Sequence, residues 1–229
     1  MRLLRGRAGD HRADDERTRE MVERVVETGE PALRVWRPHR QIAFGRRDAH
    51  SEGYDRAREI ARERGYAVIE REVGGNAVAY TGSTVAVALA EPSGGRSNIG
   101  ERYEGVLDEL AGALETVGAA VERGEPDDSF CPGSHSLQTT GPDGGKVAGL
   151  AQRVRRDVSV VAGIVVVRDR EEIAAVLEPI YGALGVAFDS GSVGSIAAAG
   201  GESDPDAVVR GIEEKLAGDD ATVETIAGA

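Results

Sequence analysis

The chain has 229 residues, with 28 lysines and arginines against 40 aspartates and glutamates, which gives a formal net charge of -12 at pH 7. This negative charge repels a phosphate backbone, so nucleic acid is excluded as an expected partner. The longest apolar runs, such as residues 158–167, are interrupted well short of the roughly 20 residues that a membrane-spanning helix needs, so no membrane association is expected.

The N-terminal half is predicted to begin with a helix and to continue with short strands. Residues 1–15 carry early arginines but lack the apolar stretch of a secretory signal, so we expect a cytoplasmic protein. Apolar residues at helical spacing predict a first helix over residues 14–30 that ends near Gly29. The next predicted elements are strands over 32–36 and 41–45 joined by a turn, a helix over 55–64 that stops at Gly65, a strand that begins over 66–69 and a strand over 84–90.

The C-terminal half is predicted to contain three helices and a strand pair. The longest helical candidate, residues 98–118, carries a stripe of leucines and valines. The later elements are strands over 146–153 and 157–167 and helices over 171–184 and 205–216, the last capped by Ser203 or Asp204. Because hairpins are mixed with helices, the order favours an α+β fold over a doubly wound parallel sheet. No linker divides the chain, so we expect one domain over residues 1–229.

The first segment with unusual chemistry contains a glycine pair. Gly74 and Gly75 directly follow a predicted strand, and glycine there allows the backbone to approach a ligand closely or to adopt a positive φ. An ordinary turn is the alternative interpretation of such a pair. The segment runs from Arg71 to Tyr80.

The second segment carries the sole cysteine, Cys131. A single cysteine excludes an intramolecular disulfide and a zinc site built from thiolates. Most lone cysteines are inert buried fillers. Cys131, however, lies in a polar, turn-forming loop over residues 129–136, and His135 lowers the pKa of a nearby thiol if the chain doubles back. Both interpretations stay open on these residues alone.

The third segment contains Lys146, one of only two lysines, the other being Lys215. Lys146 stands between a glycine-containing turn and an apolar strand, where lysine needs an anionic or polar partner unless it remains solvated. The excess of arginine over lysine, together with the abundant acidic residues, suggests a halophilic composition, although biased codon usage also favours arginine.

These three segments, in this order, resemble the lipoate/biotin protein ligase superfamily. Residues 125–133 are similar to the nucleophile loop of its cysteine-dependent octanoyl and lipoyl amidotransferases, and residues 145–152 are similar to their lysine strand. The likeness extends over roughly residues 30–200. It implies the catalytic-domain fold of that superfamily, in which helices flank a mixed, largely antiparallel sheet.

The resemblance also implies roles for individual residues. Cys131 is expected to form an acyl-thioester, and Lys146 is expected to place its ammonium beside the acyl carbonyl. His135 is a possible base. No metal is implied. The residues expected to bind the acyl chain are Arg71, Val73, Gly74, Gly75, Asn76, Ala77, Val78, Tyr80, Gly149 and Ala151.

The function implied is transfer of an octanoyl or lipoyl group between lysines of carrier domains, with no cofactor required. The expected donor is acylated glycine-cleavage H protein or a similar carrier, and the expected acceptors are lipoyl domains of 2-oxoacid dehydrogenase E2 subunits. Arg153, Arg155 and Arg156 either contact an acidic carrier or protect an edge strand from aggregation. One alternative is an ATP-dependent lipoate-protein ligase, which requires ATP and magnesium. A second alternative is a non-catalytic protein that binds acylated carriers.

Overall fold

The structure, a computed structural model, describes residues 1–71, 75–93, 99–141 and 144–226. The strands in these ranges are β1 (Arg2–Arg5), β2 (Ala32–Trp36), β3 (Gln41–Phe44), β4 (Ala67–Glu70), β5 (Val78–Tyr80), β6 (Val85–Pro92), β7 (Val121–Arg123), β8 (Ser136–Thr139), β9 (Lys146–Val154), β10 (Val158–Val165) and β11 (Thr222–Thr225). The α-helices are α1 (His11–Thr28), α2 (Tyr54–Glu63), α3 (Ile99–Thr116), α4 (Arg170–Leu184) and α5 (Pro205–Ala217).

Within the described residues the strands form two sheets. The larger sheet has eight strands in the order β11-β1-β2-β6-β10-β9-β8-β7, and every neighbouring pair is antiparallel except β1 with β11 and β1 with β2. The smaller sheet has the order β4-β3-β5, with β4 parallel and β5 antiparallel to β3. This is the expected α+β fold with a mixed, largely antiparallel sheet flanked by helices.

The larger sheet is covered on both faces, and its central strand β6 is apolar over residues 85–90. Side chains alternate between the two faces of a strand. In β6, Val87 and Leu89 pack in a cluster with α3 and α5, whereas Ala88 and Ala90 pack in a cluster with Met21 of α1. The apolar run of β6 thus contributes side chains to two apolar clusters, one on each face of the larger sheet.

A third apolar cluster lies beside the smaller sheet. Helices α2 and α4 pack together there, and α4 contributes Leu177, Ile180 and Tyr181. The same cluster includes Phe130, and Cys131 packs against it. The smaller sheet and α4 therefore support the loop between β7 and β8, which carries Cys131 and is called the cysteine loop.

Several predicted elements differ from the structure. The predicted strands over 32–36 and 41–45 both form, as β2 and β3, but they belong to different sheets. Helix α1 begins earlier than predicted, because the Asp10 side chain accepts hydrogen bonds from the backbone of Arg12 and Ala13. Asp204 caps α5, as one of the two predicted candidates. The pattern missed strands β1, β5, β7, β8 and β11.

Gly45, directly after β3, lies against the backbone of Gly75. A Cβ atom on Gly45 would lie 2.0 Å from the carbonyl oxygen of Gly75, a separation that no relaxed structure tolerates. We predict that Gly45→Ala lowers the free energy of unfolding by about 1–3 kcal/mol, because the backbone must move to accept the methyl group. Urea denaturation measures this change.

Gly105→Ala in α3 is the matched control for Gly45→Ala. A Cβ atom there meets nothing within 4 Å, and alanine in a helix interior is favoured over glycine by roughly 0.5–1 kcal/mol. The control should therefore be slightly stabilised. An unchanged urea midpoint in Gly45→Ala would contradict the close approach of the two backbones.

Candidate active site

Cys131 lies in the loop between β7 and β8, in an unusual backbone conformation. Its φ angle is 43°, and Asp128 three residues earlier has a φ of 51°. Left-handed conformations are uncommon for residues other than glycine, and they cluster at functional sites where the surrounding structure holds them in place. The thiol is free and half-buried. The loop thus presents one strained, partly accessible sulfur.

Arg71 is the cation next to this sulfur. Its Nη2 atom lies 3.1 Å from Cys131 Sγ and also donates to the backbone carbonyl of Asn76. Burial alone raises the pKa of the Cys131 thiol. The charge and hydrogen bond of Arg71, a backbone hydrogen bond from Asn76 and the charge of Lys146 outweigh burial, so that the pKa is lowered. The site therefore favours the nucleophilic thiolate.

Tyr181 of α4 links the cysteine loop to the segment over residues 75–77. Its hydroxyl accepts a hydrogen bond of 2.6 Å from the backbone N–H of Cys131 and donates one of 2.9 Å to the carbonyl of Ala77. The Tyr181 side chain is fully buried, and burial raises its pKa well above the ordinary range. One neutral hydroxyl thus fixes the distance between the nucleophile and the segment that follows Gly75.

Lys146, the first residue of β9, holds the same loop from the other side. Lys146 is only 1% exposed. Its Nζ donates to Glu125 Oε2 at 2.7 Å, to the Phe130 carbonyl at 3.0 Å and to the Cys131 carbonyl at 2.8 Å. An ammonium has three hydrogens, so these three acceptors use all of them. Lys146 is thus buried with an anionic partner and contacts the loop backbone, and its position beside an acyl carbonyl stays a prediction.

Gly149 provides the space for this lysine. A Cβ atom at Gly149 would lie 3.1 Å from Cε of Lys146. Ala151, further along β9, is half-buried and is paired with Ala162 of β10. Gly149 thus lies beside the Lys146 side chain, and its expected contact with the acyl chain stays a prediction.

Glu125 organises the loop and was missed as a site residue. Oε1 accepts from the backbone N–H of Gly133 at 2.8 Å, and Oε2 accepts from Ser136 Oγ at 2.8 Å as well as from Lys146. Burial raises the pKa of Glu125, but the hydrogen bonds and charge of these partners outweigh it and lower the pKa. The only signal in the sequence was an acidic residue at the start of the predicted nucleophile loop.

His135 is not hydrogen-bonded to the thiol. Its ring stacks on Tyr103 with 3.5 Å between ring centroids. Nε2 lies 2.9 Å from Glu104 Oε1, and Nδ1 lies 2.9 Å from Ser134 Oγ. Both ring nitrogens are therefore engaged with other groups, and the role of His135 as a possible base stays a prediction.

The residues expected to bind the acyl chain lie on both sides of this arrangement. Val73 and Gly74 fall outside the described residues. Val78 and Tyr80 of β5 belong to the same apolar cluster as Cys131, and Arg71 and Cys131 both lie close enough to influence the pKa of Tyr80, which burial raises. The described part of the segment over residues 71–80 thus contributes to the apolar cluster against which Cys131 packs.

Asp48, a second residue that the sequence did not reveal, fixes the position of Asn76. Asp48 Oδ2 accepts from the backbone of Gly45 at 2.8 Å, and Oδ1 accepts from Asn76 Nδ2 at 3.1 Å. Burial raises the pKa of this carboxyl. The Asn76 side chain is thereby turned toward Asp48, which leaves its backbone for Arg71 and Cys131.

In the ranges described, no group of three or more histidine, cysteine, aspartate or glutamate side chains is arranged to hold a metal ion. None of the helices described is both long enough and apolar enough to cross a membrane.

Comparisons with known proteins agree with the motifs. A model of the lipoyl protein ligase A/B catalytic domain matches residues 16–210. An octanoyl-[GcvH]:protein N-octanoyltransferase of Geobacillus kaustophilus is 34% identical over 130 residues, which cover 56% of this chain and 45% of that relative. A lipoyl-[GcvH]:protein N-lipoyltransferase of Listeria monocytogenes is 28% identical over 122 residues, or 53% of this chain and 43% of that relative. The chain spans about half the length of the curated relatives it matches.

A solved structure shares the fold. The crystal structure of lipoate-protein ligase A bound with ATP superposes with a TM-score of 0.72 and 19% sequence identity, covering 99% of this chain and 89% of that one. At this identity the likeness concerns the fold, and it confirms the expected catalytic-domain architecture. The family match likewise confirms the resemblance carried by the three motif segments.

The lowered pKa of Cys131 predicts an unusual pH profile for alkylation. Iodoacetamide reacts with the thiolate, so its rate follows the ionised fraction of the thiol. We predict that the rate reaches half its plateau at a lower pH in the native protein than in the same protein unfolded in urea. A native midpoint equal to or above the unfolded one would contradict the arrangement of Arg71 around the sulfur.

Removal of the Tyr181 hydroxyl should weaken the link between the two loops. Tyr181→Phe leaves the Cys131 N–H and the Ala77 carbonyl without their partner, which costs about 1–3 kcal/mol of unfolding free energy when such groups are buried. Tyr54→Phe is the control, since the Tyr54 hydroxyl bonds to Glu70 at an exposed position. Guanidinium denaturation of both variants should show a clear loss only for Tyr181→Phe, and equal losses would refute the bridging role.

Proposed function

Because the chain belongs to the lipoyl protein ligase A/B catalytic domain family, we propose that it is an acyltransferase that moves an octanoyl or lipoyl group between carrier-domain lysines through a thioester on Cys131. The observation that carries this proposal is the 3.1 Å contact between the Arg71 guanidinium and the sole thiol, together with the lowered pKa of that thiol. A buried cation beside a strained cysteine is an arrangement typical of a covalent nucleophile. We further propose that the chain acts as a single catalytic domain.

The reaction proceeds in two balanced steps. The Cys131 thiolate forms a C–S bond with the carbonyl carbon of an acylated lysine, and the tetrahedral intermediate collapses with cleavage of the C–N bond as the leaving amine takes up a proton. The amine of an acceptor lysine then attacks the thioester, the C–S bond breaks, and the new amide loses one proton. The thiolate is regenerated, and no net proton or electron is consumed.

The energetics of this exchange require no ATP. One amide is exchanged for another, so the overall free-energy change is small, and the enzyme must only lower the two barriers. This accounts for an acyltransferase that needs no cofactor. The ATP-dependent ligase differs because it must activate a free carboxylic acid.

Burial of the acyl chain supplies the binding energy. Val78 lies in the apolar cluster against which Tyr80 and Cys131 both pack. Each buried methylene contributes about 0.8 kcal/mol before ordering costs, so an eight-carbon chain offers several kcal/mol without any charged contact. Apolar side chains beside the sulfur therefore suit an octanoyl or lipoyl group.

The proposed partners are carrier proteins. The names of these relatives identify GcvH as the carrier on which they act, and this supports acylated glycine-cleavage H protein as donor. Lipoyl domains of E2 subunits are the proposed acceptors. Arg153, near the end of β9, lies close enough to Arg155 and Arg46 that burial and then their charges lower its pKa. These arginines form a group of cations in an acidic chain. Such a group of cations favours contact with an acidic carrier.

Formation of a thioester on the Cys131 sulfur should change the mass of the protein. After mixing with an octanoylated carrier, the wild-type protein should gain the mass of one octanoyl group less one hydrogen, and hydroxylamine should remove it. Cys131→Ser should lose transfer to an unmodified carrier by several orders of magnitude and show no labile adduct. Intact-mass spectrometry and a gel assay for the acylated acceptor measure both effects.

Three further results would decide against this proposal. Full transfer by Cys131→Ala would eliminate the thioester. Modification of a carrier by free lipoate that occurs only with ATP and magnesium would favour the ligase. Binding of the acylated carrier with neither adduct nor transfer would favour a non-catalytic binding protein.

A further inference from the structure

Two cations approach the cysteine loop, but they face different atoms. Lys146 directs its ammonium to Glu125 and to the backbone carbonyls of Phe130 and Cys131, which use its three hydrogens. Arg71 directs Nη2 to Cys131 Sγ. The cation in contact with the reacting sulfur is therefore Arg71, whereas Lys146 contacts the backbone that carries the cysteine.

Arg71 also has a hydrogen-bond donor without a partner among the described residues. Its Nε atom is buried and has no hydrogen-bond partner among the described residues. A buried charged donor without a partner is costly, and such a group in a folded protein calls for an explanation such as catalysis. The surrounding fold nevertheless keeps the guanidinium in this position, with Nη2 also bonded to the Asn76 carbonyl.

The shape of the guanidinium relates this free donor to the chemistry. The N–H of Nε and one N–H of Nη2 lie in parallel along the same edge of the planar group, which is the edge that binds two oxygens of a carboxylate. In a tetrahedral intermediate on Cys131, the sulfur and the oxyanion are bonded to the same carbon. A guanidinium whose Nη2 contacts the sulfur can therefore reach the oxyanion through its neighbouring Nε–H.

We propose that Arg71 is the catalytic cation of this site, with Nη2 stabilising the Cys131 thiolate and Nε donating to the oxyanion of both tetrahedral intermediates. The inference rests on the proposed acyl transfer. As the thiolate attacks, negative charge moves from sulfur to the neighbouring oxygen along one guanidinium edge. The charge remains beside the same cation throughout, so little reorganisation of the site is needed.

Lys146 then has a different role, as a positioning residue. By bonding to the carbonyls of Phe130 and Cys131 it holds the left-handed backbone at the cysteine, and Glu125 compensates its charge. It acts on the reaction through the orientation of the sulfur. An oxyanion role for Lys146 would require it to release one of these three acceptors.

The test uses Arg71→Gln and Arg71→Lys with a donor that needs no carrier. p-Nitrophenyl octanoate acylates an activated thiol and releases a coloured phenolate, so a stopped-flow burst measures the acylation rate alone. Acylation is followed at a pH above the alkylation midpoint of each variant, where the thiolate is fully formed. Urea midpoints of the variants check that the fold is retained.

We expect Arg71→Gln to raise the alkylation midpoint and to slow the burst by about a hundredfold to a thousandfold even when the thiol is fully ionised, as for removal of an oxyanion donor. Arg71→Lys should keep much of the lowered midpoint, because it retains a positive charge, yet lose most of the burst rate, because a single ammonium lacks the two-donor edge. Arg47→Lys is the matched control, since Arg47 is exposed beside Gly75, and it should match the wild type.

Three results would overturn the inference. These are an Arg71→Gln burst equal to that of the wild type at high pH, full activity in Arg71→Lys, and a wild-type protein that the ester does not acylate. The proposed function fails separately: if the ester acylates Cys131 with the expected dependence on Arg71 but the octanoylated carrier gives no adduct, the catalytic arginine stands and the carrier reaction does not.

Discussion

The site depends on three polar contacts that hold one residue, Cys131, in a strained backbone conformation. The backbone N–H of Cys131 is bonded to Tyr181, its carbonyl is bonded to Lys146, and its sulfur contacts Arg71. A left-handed φ costs a residue with a side chain of order 1–3 kcal/mol, so it persists only where the surroundings fix every polar group. These three contacts come from α4, from β9 and from the segment after β4, which explains why the active site requires the whole packed structure.

The distribution of charge determines which cation can act on the thiol. Burial alone makes ionisation of a thiol unfavourable, so a nearby positive charge must offset it. Glu125 is ion-paired with Lys146 at 2.7 Å, and the attraction within this pair reduces the effect of the lysine on the sulfur. Burial raises the pKa of Asp48, the carboxyl near Arg71, and its two oxygens accept hydrogen bonds from Gly45 and Asn76. The structure thereby leaves the charge of Arg71 available to the thiolate.

The sequence predicted what depends on local pattern and missed what depends on distant partners. Helices α3, α4 and α5 and strands β6, β9 and β10 have clear periodicity or apolar runs, and their bounds agree within a few residues. Strand β11 is exposed at all four positions and exists through its pairing with β1, so no local signal marks it. Cys131 and Lys146 could be singled out because their residue types are rare, whereas a tyrosine 50 positions from the cysteine has no such mark.

The orientation of Lys146 follows from an irregularity in the sheet. Leu137 and Gln138 are consecutive in β8, but they are paired with Ala148 and Lys146, so Val147 is an extra residue on β9. Such a bulge bends a strand and changes the direction of the side chains next to it. Val147 and Ala148 both pack in the main apolar cluster, which consecutive residues of a regular strand would not do. The bulge thus lets β9 continue into the core while its first side chain turns to the cysteine loop.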